Sequence, residues 1–150
     1  MRSGNAALNG LAWITVALAV PTPAVRAAEP ASLLDLPVSG TAIVAASQYR
    51  DAASRAARGG LPVEIVLAVA GSFEGKQQLI VQTQESAESP SASRVTVIRD
   101  GLLDDAVRSE RWDVALARTP AGIWEIGQVT RSWRCWRGGT TTGFAAKPCP

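Results

Sequence analysis

The pattern of apolar and polar positions predicts a helix followed by a series of strands. In residues 41–58 the apolar side chains recur three and four positions apart, which is typical of an amphipathic helix, and Gly59 and Gly60 follow as a stop signal. Most of this stripe is alanine, so the helix can lie close to a sheet but buries little area. Ile43 and Val44 fall off the stripe and could instead open a short strand.

From Pro62 onward the pattern predicts β-structure. In residues 63–69 four apolar residues alternate, with Val66 and Ala68 between them, which is typical of a central strand that is buried on both faces: Val63, Ile65, Leu67 and Val69. Residues 77–83 and 95–98 predict two further strands, and the polar stretch 85–93 between them predicts a loop.

The clearest signal in the chain is a long β-hairpin near the C-terminus. Apolar residues alternate with other residues on both sides of a turn at residues 119–122: Trp112, Val114 and Leu116 before it, Trp124 and Ile126 after it. The alternation slips near Gly127, which predicts a β-bulge. These elements together predict an α+β domain over residues 41–150, with one N-terminal helix packed on an antiparallel sheet of four to six strands.

The first 27 residues have the features of a signal peptide. Arg2 supplies a positive charge, residues 11–20 are apolar, Pro21 ends that run, and small residues precede Ala28. The apolar run is shorter than the roughly 20 residues that span a bilayer. The sequence therefore predicts a periplasmic or secreted protein, cleaved near Ala27 and without a transmembrane segment in its mature form. Residues 28–40, rich in proline and small residues, predict an extended lead-in.

Charge and composition narrow the possible functions. Cleavage would remove Arg2 and Arg26, which lowers Lys+Arg from 15 to 13 and leaves them equal to the 13 acidic residues. A neutral chain argues against nucleic-acid binding through a general positive field. The chain has no histidine, which excludes Ser-His-Asp and Cys-His catalysis. We therefore expect no cofactor and no metal site.

The two cysteines, Cys135 and Cys149, predict a disulfide, because no thiol buffer keeps an exported pair reduced. Closing a loop of about this length stabilises a fold by roughly 3 kcal/mol in the chain-entropy model. A reactive thiol pair is the alternative, but the two residues do not form a C-x-x-C unit. The bridge would hold the segment 138–143, which is rich in glycine and threonine.

Residues 131–137 interleave arginines with tryptophans, a combination that can stack on rings and clamp phosphates or carboxylates. If Trp133 and Cys135 face the core, Arg134 and Trp136 point outward together. The candidate surface for an anionic ligand is Arg131, Arg134, Trp136 and Arg137. The competing interpretation is a sheet edge whose arginines are merely solvated.

Three weaker patterns also occur. Asp100, Asp104 and Asp105 could hold calcium, but an exposed turn whose charges pair with Arg99 and Arg108 is favoured. Residues 71–76 resemble a phosphate loop but are one residue short, so a β-turn is favoured. A carboxylate pair of the glycosidase type would have to come from four glutamates whose spacing does not show proximity: Glu64, Glu74, Glu110 and Glu125.

Residues 95–149 carry an ordered set of motifs: VTVIRDGLLDDAVR at 95–108, Trp124, SWRCWR at 132–137, Phe144, and Pro148 with Cys149. In these motifs the chain resembles a group of small exported bacterial proteins of uncharacterised function. In that group an Arg-Gly-His stretch follows the first cysteine, where this chain has Gly138, Gly139 and Thr140. The resemblance supports the paired cysteines and the hairpin, and it implies no activity.

The sequence therefore predicts a non-catalytic accessory or binding protein of the cell envelope, with an anionic envelope component as its partner. The alternative is a carboxylate-dependent hydrolase that acts on envelope glycan. The oligomeric state is left open by the sequence.

Overall fold

The computed structural model describes residues 32–56 and 60–150. The predicted signal peptide and the start of the lead-in lie outside the described residues. The regular elements are, in chain order, β1 Ala42–Ile43, α1 Arg50–Ala56, α2 Pro62–Ala70, β2 Gln77–Gln84, β3 Ala92–Asp100, β4 Val107–Arg118 and β5 Trp124–Cys135. Short 3-10 turns at Leu33–Asp35 and Ala46–Gln48 complete them. The predicted α+β class is confirmed.

The strands form one five-stranded antiparallel sheet in the order β1-β5-β4-β3-β2. Strands β4 and β5 are the predicted long hairpin. The predicted bulge is also present, because Ala115 pairs with Gln128 while Leu116 pairs with Ile126, which leaves Gly127 as the extra residue.

Each face of the sheet has its own core. On one side, here called the helix face, Ile65 and Val66 of α2 pack on buried sheet residues that include Val97 and Val114. The opposite side, here called the tail face, carries a smaller core of Leu36, Ile98 and Phe144. Backbone hydrogen bonds from Ser39 to Phe144 and from Phe144 to Pro37, both 2.8 Å, hold these two chain segments together.

Residues 63–69 form helix α2, so the predicted central strand is wrong. Pro62 occupies the first helical turn, where its missing N–H costs nothing, and the Glu64 carboxylate accepts the Leu61 N–H at 2.8 Å. Gly71, with φ of +73°, ends the helix. A short apolar run fits a buried helix as well as a buried strand, and here these terminal signals outweigh the β-propensity of valine and isoleucine.

The helix predicted over residues 41–58 is only partly present. Ala42 and Ile43 form strand β1, as the alternative interpretation proposed, and Val44 donates its N–H to the Val129 carbonyl at 3.0 Å. Within the described residues 41–56 of this stretch, the α-helical part is α1, Arg50–Ala56. The helix that packs centrally on the sheet is therefore α2.

A buried arginine fixes α2 to the sheet. The guanidinium of Arg99, with a side chain only 3% exposed, donates to the carbonyls of Ala70 (2.7 Å), Gly71 (2.5 Å) and Ser72 (3.1 Å) at the helix C-terminus. These are carbonyls that a helix end leaves without an intrahelical partner. The same guanidinium also donates to the Glu110 carboxylate of β4 at 3.2 Å. Arg99 therefore links the end of α2 to the sheet.

The predicted disulfide is confirmed. Cys135 and Cys149 are joined, with their Cα atoms 5.6 Å apart. The chain between them returns along β5, where Trp133 and Ala145 exchange two backbone hydrogen bonds of 3.0 Å. This return brings Phe144 onto the tail face.

Candidate functional site

The structure separates the residues that the sequence grouped as one candidate surface. Arg131 and Trp133 lie on the helix face, because they pair with Trp112 and Glu110 of β4. Arg134 lies on the tail face. Trp136 and Arg137 follow the end of β5 and are exposed.

Arg131 is engaged within the fold. It forms an ion pair with Glu110, and its guanidinium carbon lies 4.5 Å from the ring centroid of Trp112 and 5.1 Å from that of Trp133. Glu110 is itself buried and also binds Arg99. Arg131 thus shares a buried carboxylate with Arg99 and lies against two tryptophan rings, so this arginine belongs to the packing of the helix face.

Arg134 is buried, which corrects the prediction that it points to solvent. Its side chain is 7% exposed, and its guanidinium lies 4.0 Å from the Asp100 carboxylate. Burial lowers the pKa of Arg134, the nearby positive charge of Arg108 adds to this effect, and Asp100 opposes it. The prediction failed because it treated the tail face as solvated, whereas Leu36 and Phe144 build a core on that face.

Arg108 and Arg134 share a single carboxylate. Oδ1 of Asp100 accepts the Ser109 hydroxyl and lies 3.6 Å from Nε of Arg108 and 4.0 Å from Arg134. The Nε atoms of both arginines are buried and have no hydrogen-bond partner in the described part of the chain. Two guanidiniums around one carboxylate leave a local excess of positive charge.

An exposed tryptophan lies directly beside this excess charge. Trp136 is 45% exposed, and the guanidinium carbon of Arg108 lies 4.9 Å from its ring centroid. A hydrogen bond of 2.9 Å from the Trp136 N–H to the Ala106 carbonyl fixes the backbone there. We call the set Arg108, Arg134, Trp136 and Arg137 the arginine–tryptophan surface.

Arg137 adds an exposed charge to this surface. It pairs with Asp105 at 3.0 Å, but both side chains are largely exposed, at 70% and 85%. Exposed pairs of this kind contribute little to stability and are screened by salt. Arg137 is therefore available to a competing anion.

The sequence predicts that Arg108 pairs with the aspartate loop and does not place it on the binding surface. The hairpin supplies the signal that could have found it. In a long hairpin the start of the first strand lies beside the end of the second. Here Val107, at the start of β4, pairs with Cys135, at the end of β5, so Arg108 lies close to Trp136. The pairing of Arg108 with Asp100 is confirmed, whereas Arg99, assigned to the same loop, binds Glu110 instead.

The three aspartates of the loop have separate partners. Asp104 accepts the N–H groups of Ala106 (2.7 Å) and Val107 (2.6 Å), which lowers its pKa. Asp105 binds Arg137, and Asp100 binds Ser109. Among residues 32–56 and 60–150, no group of three His, Cys, Asp or Glu side chains is arranged to hold a metal ion.

The four glutamates considered for hydrolysis lie in different settings. Glu110 is buried between Arg99 and Arg131, and Glu64 binds the N-terminus of α2. Glu74 and Glu125 are exposed. The stretch 71–76 follows a helix and precedes a strand, which is the reverse of the order in a phosphate loop.

A groove that the sequence did not reveal lies at the opposite end of the sheet. It encloses about 390 Å³ between α1 and the start of β5. Its lining is mainly apolar and includes Tyr49, Ile65, Trp124 and Ile126, and Arg50 and Glu125 add one charge of each sign. Nothing in its geometry singles out one ligand chemistry.

Comparison with protein-family models, with curated proteins and with solved structures finds no match to this chain. The resemblance noted from the sequence therefore stays a prediction. Within the described ranges, no helix has the length and apolar character needed to cross a membrane.

Proposed function

We propose that this chain is an exported, non-catalytic accessory or binding protein of the cell envelope, which binds an anionic envelope component through the arginine–tryptophan surface. The observation that carries the proposal is the charge imbalance at this surface. Arg108 and Arg134 share only Asp100, and the exposed ring of Trp136 lies against Arg108.

The chemistry of these side chains fits a carboxylate or a phosphate. A guanidinium offers several N–H donors in one plane and can bind two oxygens of an anion at once. Arg108 is 39% exposed, so a ligand can reach its outer N–H groups. Arg134 is buried next to it, and its positive charge attracts the same anion without direct contact. The face of Trp136 offers apolar contact to the body of the ligand.

The hydrolase alternative draws no support from this geometry. Of the four glutamates considered, Glu110 is the buried one, and its carboxylate is held in ion pairs with Arg99 and Arg131. The proposal therefore stays with binding.

The test is co-sedimentation of the mature protein with a purified envelope fraction. Arg108→Gln should reduce retention by about tenfold, since a hydrogen bond to a charged group contributes roughly 1.5–3 kcal/mol. Trp136→Ala should also reduce retention, because it removes the apolar ring face that lies beside Arg108. Arg118→Gln is the matched control, because it removes the same charge at the other end of β4. Retention of the wild type should also fall as salt rises.

Equal retention of the wild type and both surface variants would refute the proposal. Unfolding midpoints of all variants, measured with the disulfide intact, establish that any loss of retention is not a loss of folding.

A further inference from the structure

One edge of the sheet is long and open. Strand β2 lies at the end of the strand order, and all eight of its residues are exposed or half exposed. It pairs with β3 in unbroken register from Gln77 to Gln84, without a bulge. In an antiparallel edge strand, alternate backbone N–H and C=O groups point away from the sheet, and no described strand pairs with these groups.

The devices that usually protect such an edge are absent from β2. Its sequence, QQLIVQTQ, has no charged residue and no proline. The opposite edge differs, because β1 is two residues long and the return of the tail at Ala145 covers a further part of β5. Edge strands of folded proteins are usually protected by lysine, proline or bulges. Because β2 has none of these, its free backbone groups can pair with a strand of another chain.

We propose that two copies of this chain pair through β2, antiparallel and about a two-fold axis at Ile80, to form a continuous ten-stranded sheet. The strand is close to self-complementary about that residue. In this register Ile80 faces its own copy, Leu79 faces Val81, and Gln78 faces Gln82. A two-fold interface places like residues near each other, so a strand without charges avoids repulsion there.

Charges at the two ends of the strand favour the same register. It places Lys76 opposite Gln84 of the second copy, next to Glu85. The hydrogen bonds from the Ser91 hydroxyl and N–H, of 2.5 and 2.6 Å, lower the pKa of Glu85 and keep it negative. Lys76 of one copy therefore lies near Glu85 of the other, and the two-fold axis repeats this contact at the other end of the interface.

Sedimentation of the mature protein over a range of concentrations tests the proposal. The wild type should reach twice the monomer mass. Ile80→Lys should stay monomeric, because it places two positive charges face to face at the axis. Ile80 is 36% exposed, so the ammonium group of a lysine at this position can reach solvent in the monomer. Ile43→Lys, on the 74% exposed residue of the opposite edge strand, is the matched control and should dimerise as the wild type does.

The register has its own test. Lys76→Glu and Glu85→Lys should each weaken the dimer, and the double variant should restore it. A wild type that stays monomeric at every concentration overturns the proposal. Hydrogen exchange that finds the β2 amides protected in this monomer would mean that another part of the same chain covers the edge, and this outcome overturns the proposal too. A dimer that Ile80→Lys leaves intact overturns it as well.

Discussion

Replacement of Arg99 by methionine should destabilise the fold more than any other single arginine substitution in the described part of the chain. The guanidinium is buried and makes five hydrogen bonds, to three carbonyls at the end of α2, to the side chain of Gln78 and to Glu110. Methionine fills similar space but donates none of these bonds. It leaves three partly buried carbonyls without their hydrogen-bond partner and removes one of the two charges that pair with Glu110.

The magnitude follows from the ion pair. Removing one partner of a buried pair costs about 3–5 kcal/mol, because the other charge is left in a poorly solvated place. Arg131 still binds Glu110, which places the expected loss near the lower end of that range. A single domain has a total stability of roughly 5–15 kcal/mol, so the variant should remain folded at 25 °C with a melting temperature lower by on the order of 10 °C.

Urea unfolding followed by circular dichroism, with the disulfide intact, measures this loss. Arg94→Met is the matched control, because Arg94 lies on the same strand with an exposed side chain, and its replacement should change the free energy of unfolding by less than about 0.5 kcal/mol. A loss below about 1 kcal/mol for Arg99→Met would refute the reasoning, since it would mean that the helix end is held by other contacts.

Three further predictions concern stability. Reduction of the disulfide should lower the free energy of unfolding by roughly 3 kcal/mol, measured in urea with and without reductant. Gly143→Ala should cost about 1–3 kcal/mol in the same assay, because its Cβ would overlap the carbonyl oxygen of Pro37, whereas Gly127→Ala meets only ordinary contacts and should cost less. Burial raises the pKa of Asp113, but hydrogen bonds and charge, mainly from Arg111, outweigh it and hold the pKa below its ordinary value. The ionised form therefore stabilises the fold above a pH of about 4, and that contribution is lost as the pH falls further, so Asp113→Asn should lose less stability than the wild type between pH 7 and pH 3. Equal losses would contradict this.

The parts of the fold that the sequence predicts well are those controlled by local alternation. Trp112, Val114 and Leu116 repeat with a period of two over many residues, and only a strand with one buried face requires that pattern. The slip at Gly127 is local too, since one extra residue inverts the alternation. Residues 63–69 fit both patterns, because apolar residues alternate there while α2 buries Ile65 and Val66 and exposes Glu64 and Ala68.

The candidate site was harder to predict because its geometry depends on distant parts of the chain. Arg134 is buried by a face whose core needs both Leu36 and Phe144, more than 100 residues apart in sequence. The alternation correctly separates Arg134 from Trp133, but it does not show whether the second face is solvated. The role of Arg99 depends likewise on the carbonyls of a helix that the pattern did not reveal.

The two proposals reinforce each other through the order of the strands. The arginine–tryptophan surface lies at the start of β4 and just beyond the end of β5, whereas the proposed dimer axis lies at β2, with β3 between β2 and β4. Pairing through β2 therefore leaves both copies of the surface uncovered. An envelope polymer presents many identical anionic groups, and a dimer that engages two of them gains effective concentration without any new contact. Individually weak, salt-screened arginine contacts can then hold the protein on the envelope, because release requires both surfaces to detach at once.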